Sequence, residues 1–117
     1  MSRDALVLLT VFFAACGGER SSFEKIGNAE QGRELLWQYG CGVCHEIPEV
    51  KGATGKVGPP LKNMAHQVYI AGVLPNTPEN LVYWIRAPHK VDPLTAMPDL
   101  GVTGEQARDM VAYLYSK

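Results

Sequence analysis

Apolar and polar positions divide the chain into stretches with different periods. Ala5 to Ala15 is an apolar run broken only by Thr10. A membrane-spanning helix needs roughly 20 such residues. The run is too short for that and has the length of the apolar region of a secretory signal, with Arg3 and the amino terminus as its positive start. Gly17 to Gly27 is small and polar and reads as a flexible tether. Beyond it the pattern becomes helical. Ala29, Gly32, Leu36 and Tyr39 fall at i, i+3, i+7 and i+10, which is one face of a helix. Asn28, three residues before Gln31, is its expected N-cap, and Gly40 its stop. A glycine on that face is tolerable where another helix must cross closely.

Residues 46 to 76 contain Pro48, Pro59, Pro60 and Pro75 among several glycines, a spacing of breakers that no long element survives. A second helix is predicted from Thr77 as N-cap and Pro78 at the first helical position, with Leu81, Trp84 and Ile85 on its apolar face and Pro88 ending it near Arg86. Val91 to Gly101 reads as loop. Thr103 and Gln106 form a capping box for a third helix, in which Ala107, Met110, Val111 and Leu114 share a face. With no sustained period-2 run, the expected fold is all-α, three to five short helices joined by long loops. The expected organisation is a signal peptide over 1–15, a tether over 16–27 and one domain over 28–117.

Composition narrows this picture. The chain has 117 residues, 46% apolar and 20% charged, with a net charge of −1. That is room for a single small domain, too apolar for global disorder and too weakly charged for a nucleic-acid partner. Three cysteines are an odd number and make no disulfide framework. A core this small and rich in loops is marginal unaided, and loops that long are uncommon unless they serve a function. They are expected to wrap a ligand.

Cys41-Gly42-Val43-Cys44-His45 names that ligand. Cys-x-x-Cys-His reads as a c-type haem attachment site. Two thiols two residues apart on a tight turn can each form a thioether with one vinyl group of a porphyrin, and the adjacent His then sits beneath the ring with a nitrogen on iron. Rival readings use the same residues. A thioredoxin-like dithiol follows a strand, whereas a helix precedes this one. A structural zinc site needs four ligands, drawn here from Cys41, Cys44 and two of His45, His66 and His89. A Cys41–Cys44 disulfide would leave the long loops unexplained.

On these residues the chain resembles a class I cytochrome c from about Asn28 to Ser116. Gly32 and Leu36 match that family's first-helix glycine and apolar residue, and Met110 and Tyr113 match the contact pair of its last helix. The resemblance implies one covalently bound haem c wrapped by the loops. Gly58-Pro59-Pro60-Leu61 resembles the family's Gly-Pro-x-Leu, which implies that the Pro59 carbonyl accepts a hydrogen bond from the second nitrogen of His45. Met97-Pro98 lies where the family places its distal thioether ligand, which implies iron held by His45 and Met97; His66, His89 or an open sixth site are the alternatives. Met64 lies too near the haem motif for that path, and Met110 is on a helix face. Trp84 is either a donor to a haem propionate, as is common in the family, or a core residue.

Phe13-Ala14-Ala15-Cys16 resembles a bacterial lipobox, which implies lipid attachment at Cys16; plain cleavage or an uncleaved anchor are the alternatives. Each route exports the domain, to the periplasmic side of the inner membrane in a bacterium. The run from Asn76 to Leu81, with Trp84-Ile85, Met97 to Gly101, and the Cys41 to Pro48 and Gly52 to Leu61 segments, is similar to the cytochrome c domains associated with subunit II of haem–copper oxidases. The expected role is therefore a monomeric, non-enzymatic electron carrier of a respiratory chain, with redox partners such as an oxidase, a bc-type complex or a dehydrogenase. The alternative is an electron-accepting haem subunit of one periplasmic dehydrogenase. Lys51, Lys56, Lys62 and Lys90 are set against Glu46, Glu49 and Asp99, a mixed surface that marks no charged docking face.

Overall fold

The computed structural model describes residues 25–117; the leader, Cys16 and most of the expected tether lie outside them. Four α-helices follow in order: α1 Ala29–Gln38, α2 Pro78–Arg86, α3 Pro88–Val91 and α4 Gly104–Tyr115. None of the described helices is long and apolar enough to cross a membrane. Each of the three predicted helices starts where its cap says. Asn28 accepts from Gln31 N–H at 2.9 Å, Thr77 from Asn80 N–H at 3.1 Å, and Thr103 closes a full capping box with Gln106. At α1 the reciprocal half of the box is replaced by a tertiary bond, in which Asn28 N–H donates to Asp109 Oδ1 of α4 at 2.8 Å.

That bond marks the main packing contact. A Cβ on Gly32 would stand 1.9 Å from the carbonyl oxygen of Asp109, so the two backbones meet at the one position of α1 that carries no side chain. Gly27 meets the Arg108 backbone in the same way, at 2.7 Å, and Ile26 packs against the core. Packing therefore begins within the last residues of the expected tether. Tyr39, the C-cap of α1, closes the other end by donating from its hydroxyl to Gln106 Oε1 at 2.8 Å. Leu35 and Leu36 of α1, Leu81 and Ile85 of α2, and Ala107, Met110, Val111 and Leu114 of α4 form the centre of the core, completed by Ile47, Val50, Met64 and Ile70 from the loops. No polar or charged residue is buried among the described residues.

The all-α reading holds, with two additions. A small antiparallel ribbon, β1 Tyr69–Ile70 with β2 Leu74–Pro75, is turned by Ala71 and Gly72 at φ 52 and 68. Two-residue strands are too short to show a period of two. Pro88 does not simply stop α2, because it also occupies the first position of α3, which takes Val91 out of the expected loop.

Candidate functional site

Gly40 adopts a left-handed backbone, φ 72 and ψ 24, and turns the chain out of α1 into a 3-10 turn over Cys41–Val43. Three residues per turn bring positions i and i+3 to one side, so Cys41 and Cys44 face together while Val43 points outward, 77% exposed. His45 N–H donates to the Cys41 carbonyl at 3.0 Å and keeps the imidazole on the same turn. Both thiols are free, which removes the disulfide reading. Burial pushes the Cys41 thiol up, the opposite of the shift that activates a redox dithiol. Among the described residues no three His, Cys, Asp or Glu side chains are grouped to hold a metal ion, as the zinc reading needs.

A strap of backbone over residues 53–61 lies against this motif. Gly55 N–H donates to the Gly42 carbonyl at 3.0 Å, Gly58 N–H to Cys44 at 2.8 Å and Leu61 N–H to Glu46 at 2.8 Å. The strap brings the Pro59 carbonyl to 2.7 Å from His45 Nδ1. A carbonyl can only accept, so Nδ1 is the donor, and in the neutral tautomer this selects, Nε2 holds the lone pair. A Cβ on Gly58 would lie 2.3 Å from Cε1 of the imidazole, so the close approach requires glycine. Lys56 pairs with Glu46 across the strap and lowers the Glu46 carboxyl, but both side chains are well exposed and the pair adds little to stability.

The remaining predicted residues come from farther along the chain. Met97 lies on the loop between α3 and α4, partly buried against the core cluster that Cys41 also touches. Trp84 of α2 packs on the same cluster. Met64 and Met110 are buried core residues, and His66 and His89 are exposed. Two free thiols on one turn, an imidazole whose Nδ1 is held by a carbonyl and a thioether on a loop packed against the same core cluster are a donor set that fits a covalently attached haem.

Sequence reasoning did not find Asn76. Its Nδ2 donates to the Met64 and Gln67 carbonyls at 2.7 and 2.8 Å, and its Oδ1 accepts from the Tyr115 hydroxyl at 2.5 Å. It ties the loop before the ribbon to the end of α4. The residue before a helix cap gives no pattern that would reveal this. Tyr113 makes a second such tie, donating to the Pro48 carbonyl at 2.5 Å.

Fold and site together define a small helical domain whose loops carry the candidate haem donors. The cytochrome c family model matches residues 29–117, and the chain belongs to that family as a class I cytochrome c. Its members carry electrons on covalently bound haem c, pass them to redox partner proteins and are not enzymes. The chain is also similar to "Cytochrome c oxidase subunit 2" of Alkalihalophilus pseudofirmus (strain ATCC BAA-2126 / JCM 17055 / OF4), 36% identical over 92 residues. The match covers 75% of this chain and spans only 25% of that relative.

Proposed function

We propose that this cytochrome is a monomeric single-haem electron carrier of a bacterial respiratory chain, held on the periplasmic side of the inner membrane, that delivers electrons to a terminal haem–copper oxidase. The observation that carries the reading is the Cys41–His45 turn with His45 Nδ1 held at 2.7 Å on the Pro59 carbonyl. Cys41 and Cys44 would hold the haem through thioethers, and His45 Nε2 and the Met97 sulfur would bind its iron. When bound, the haem iron supplies a one-electron ferrous–ferric couple. The Pro59 carbonyl fixes the imidazole tautomer and raises its basicity. The soft Met97 thioether favours the ferrous form and a higher potential. With both donors on the iron, no coordination position would be left for a substrate. Trp84, packed on the core cluster, would offer its indole N–H to a haem propionate.

The leader over 1–15 is removed, Cys16 takes the lipid, and the residues from there to the packed Ile26 and Gly27 tether the domain. Multiple acyl chains make such an anchor stable, and a tether raises the effective concentration of carrier at its partners. The similarity to part of an oxidase subunit supports an oxidase as acceptor. Such redox encounters use small, transient interfaces.

The test is the visible spectrum of the exported holoprotein, oxidised and reduced, beside Met97→Ala. Sharp low-spin bands, with loss of the sulfur-to-iron charge-transfer band in the variant, are expected. A colourless protein, or a spectrum indifferent to Met97, would overturn the ligation. Oxygen uptake by oxidase-containing membranes, driven by the reduced cytochrome, tests the acceptor; no stimulation would refute it.

A further inference from the structure

The loop that presents Met97 is fixed by its own polar side chains. Asp92 leaves α3 with its N–H on the Pro88 carbonyl at 2.9 Å. Its Oδ1 accepts from Leu94 N–H at 3.0 Å, and its carbonyl accepts from Thr95 N–H at 3.1 Å, so one residue closes the turn from 92 to 95. Thr95 Oγ1 then accepts the N–H of Met97 at 3.2 Å. Beyond the methionine, Asp99 Oδ1 accepts from Gly101 N–H at 3.1 Å, and Arg86 Nε donates to the Val102 carbonyl at 3.3 Å. Leu94, 94% exposed, and Leu100, 44% exposed, do not hold this loop; Val102, 6% exposed, anchors only its far end in the core.

We propose that Thr95 is a positioning residue for the Met97 thioether, with Asp92 as the support that places Thr95. The inference rests on the reading of Met97 as an axial ligand. The Thr95 bond is the one hydrogen bond that Met97 N–H makes among the described residues, and it fixes the direction in which the side chain leaves the backbone. Methionine is unbranched with three rotatable bonds, so freedom at its backbone is multiplied at the sulfur. Valine at 95 keeps the branched shape and removes the acceptor, whereas serine keeps the acceptor.

The holoprotein, Thr95→Val, Thr95→Ser and Met97→Ala are compared by titrating the ferric form with imidazole, which must displace the sulfur to bind. Its apparent affinity contains the equilibrium for loop opening. Removing one backbone hydrogen bond of ordinary strength eases opening about fivefold. Thr95→Val should therefore bind imidazole about fivefold more tightly, with a weaker charge-transfer band, and Thr95→Ser should return both to the parent values. If Met97→Ala leaves the band unchanged, the axial reading itself fails. If Met97→Ala abolishes the band while Thr95→Val titrates like the parent, the positioning role is overturned. Should Thr95→Val fail to fold, amide hydrogen exchange of the parent protein decides: Met97 N–H protected beyond that of Ala96 supports the role, and equal protection refutes it.

Discussion

Gly32→Ala sets two effects of opposite sign against each other. Alanine is the better helix former by about 1 kcal/mol, so propensity alone predicts a more stable α1. The structure predicts the reverse. The added Cβ would stand 1.9 Å from Asp109 O, 2.4 Å from Asp109 C and 2.9 Å from Met110 N. All three are backbone atoms of α4, and no side chain can swing aside. An ordinary contact begins at 3.4 Å, so a gap of about 1.5 Å, the difference between 3.4 and 1.9 Å, must open between the helices. Overpacking of this kind costs about 1–3 kcal/mol and more where backbones must part. A gap of 0.5–1 Å already forfeits roughly a quarter to a half of each dispersion contact, here around Leu36 and Met110, which are 2% and 0% exposed. The steric effect wins: about 3 kcal/mol of overpacking, less about 1 kcal/mol of helix propensity, leaves a net loss of about 2 kcal/mol. For a domain of this size that lowers the melting temperature by roughly 8–16 °C.

The assay is urea and thermal unfolding of the holoprotein, followed by far-ultraviolet circular dichroism and by haem absorbance. Gly104→Ala is the control. Its Cβ would meet only the ends of flexible arginines, Arg86 Nη1 at 3.4 Å and Arg108 Nη1 at 3.6 Å. It should stay within about 0.5 kcal/mol of the parent. A Gly32→Ala protein as stable as the Gly104→Ala control would refute the account of the helix crossing.

Three further outcomes are expected. Gly58→Ala places a Cβ 2.7 Å from His45 Nδ1, so the bond to Pro59 should break; the less basic imidazole should raise the reduction potential in spectroelectrochemistry, and an unchanged potential would contradict the strap's role. Asn76→Ala removes the bonds to the Met64 and Gln67 carbonyls and the one from the Tyr115 hydroxyl and should cost about 2–3 kcal/mol in urea unfolding; a loss within 0.5 kcal/mol, about the scatter of surface substitutions, would dismiss it as a hub. Burial, the largest cause for each, pushes the Tyr113 and Tyr115 phenols up. The folded state holds these protons more tightly, so their contribution is full below the unfolded value of about 10 and is lost as pH rises through the higher folded values. Tyr115→Phe should flatten this alkaline fall in stability, and an unaltered slope would rule it out.

The legible parts of the fold are the ones written locally. Asn28, Thr77 and Thr103 each stand beside the helix they cap, and the haem motif lies within one turn, so neighbouring residues carry the whole signal. The ribbon and Asn76 are different. Asn76 joins residues whose separation leaves no period, as with Tyr115, 39 positions away. The ribbon rests on a turn at Ala71, φ 52, a residue that does not favour that conformation and so gives no warning of it. Pro88 was ambiguous because one residue both ends α2 and begins α3.

The loops that carry the site are held by close backbone approach more than by side-chain burial. A Cβ on Gly42 would come 2.6 Å from Ala53 Cα, and one on Gly55 would come 2.2 Å from the Val43 carbonyl oxygen. With Gly58 on the imidazole, three glycines let the strap lie directly on the haem motif. A side chain at any of them would lift the strap, and what would move with it is the Pro59 carbonyl, 14 residues along the chain from His45. The orientation of the His45 imidazole is thus set by main chain whose position depends on absent side chains. Such a device offers no polar group for substitution by a neighbour, and its geometry is sensitive to a single methyl group. It places the control of His45 in glycines that no hydrophobic pattern or charge pattern distinguishes from ordinary turn residues.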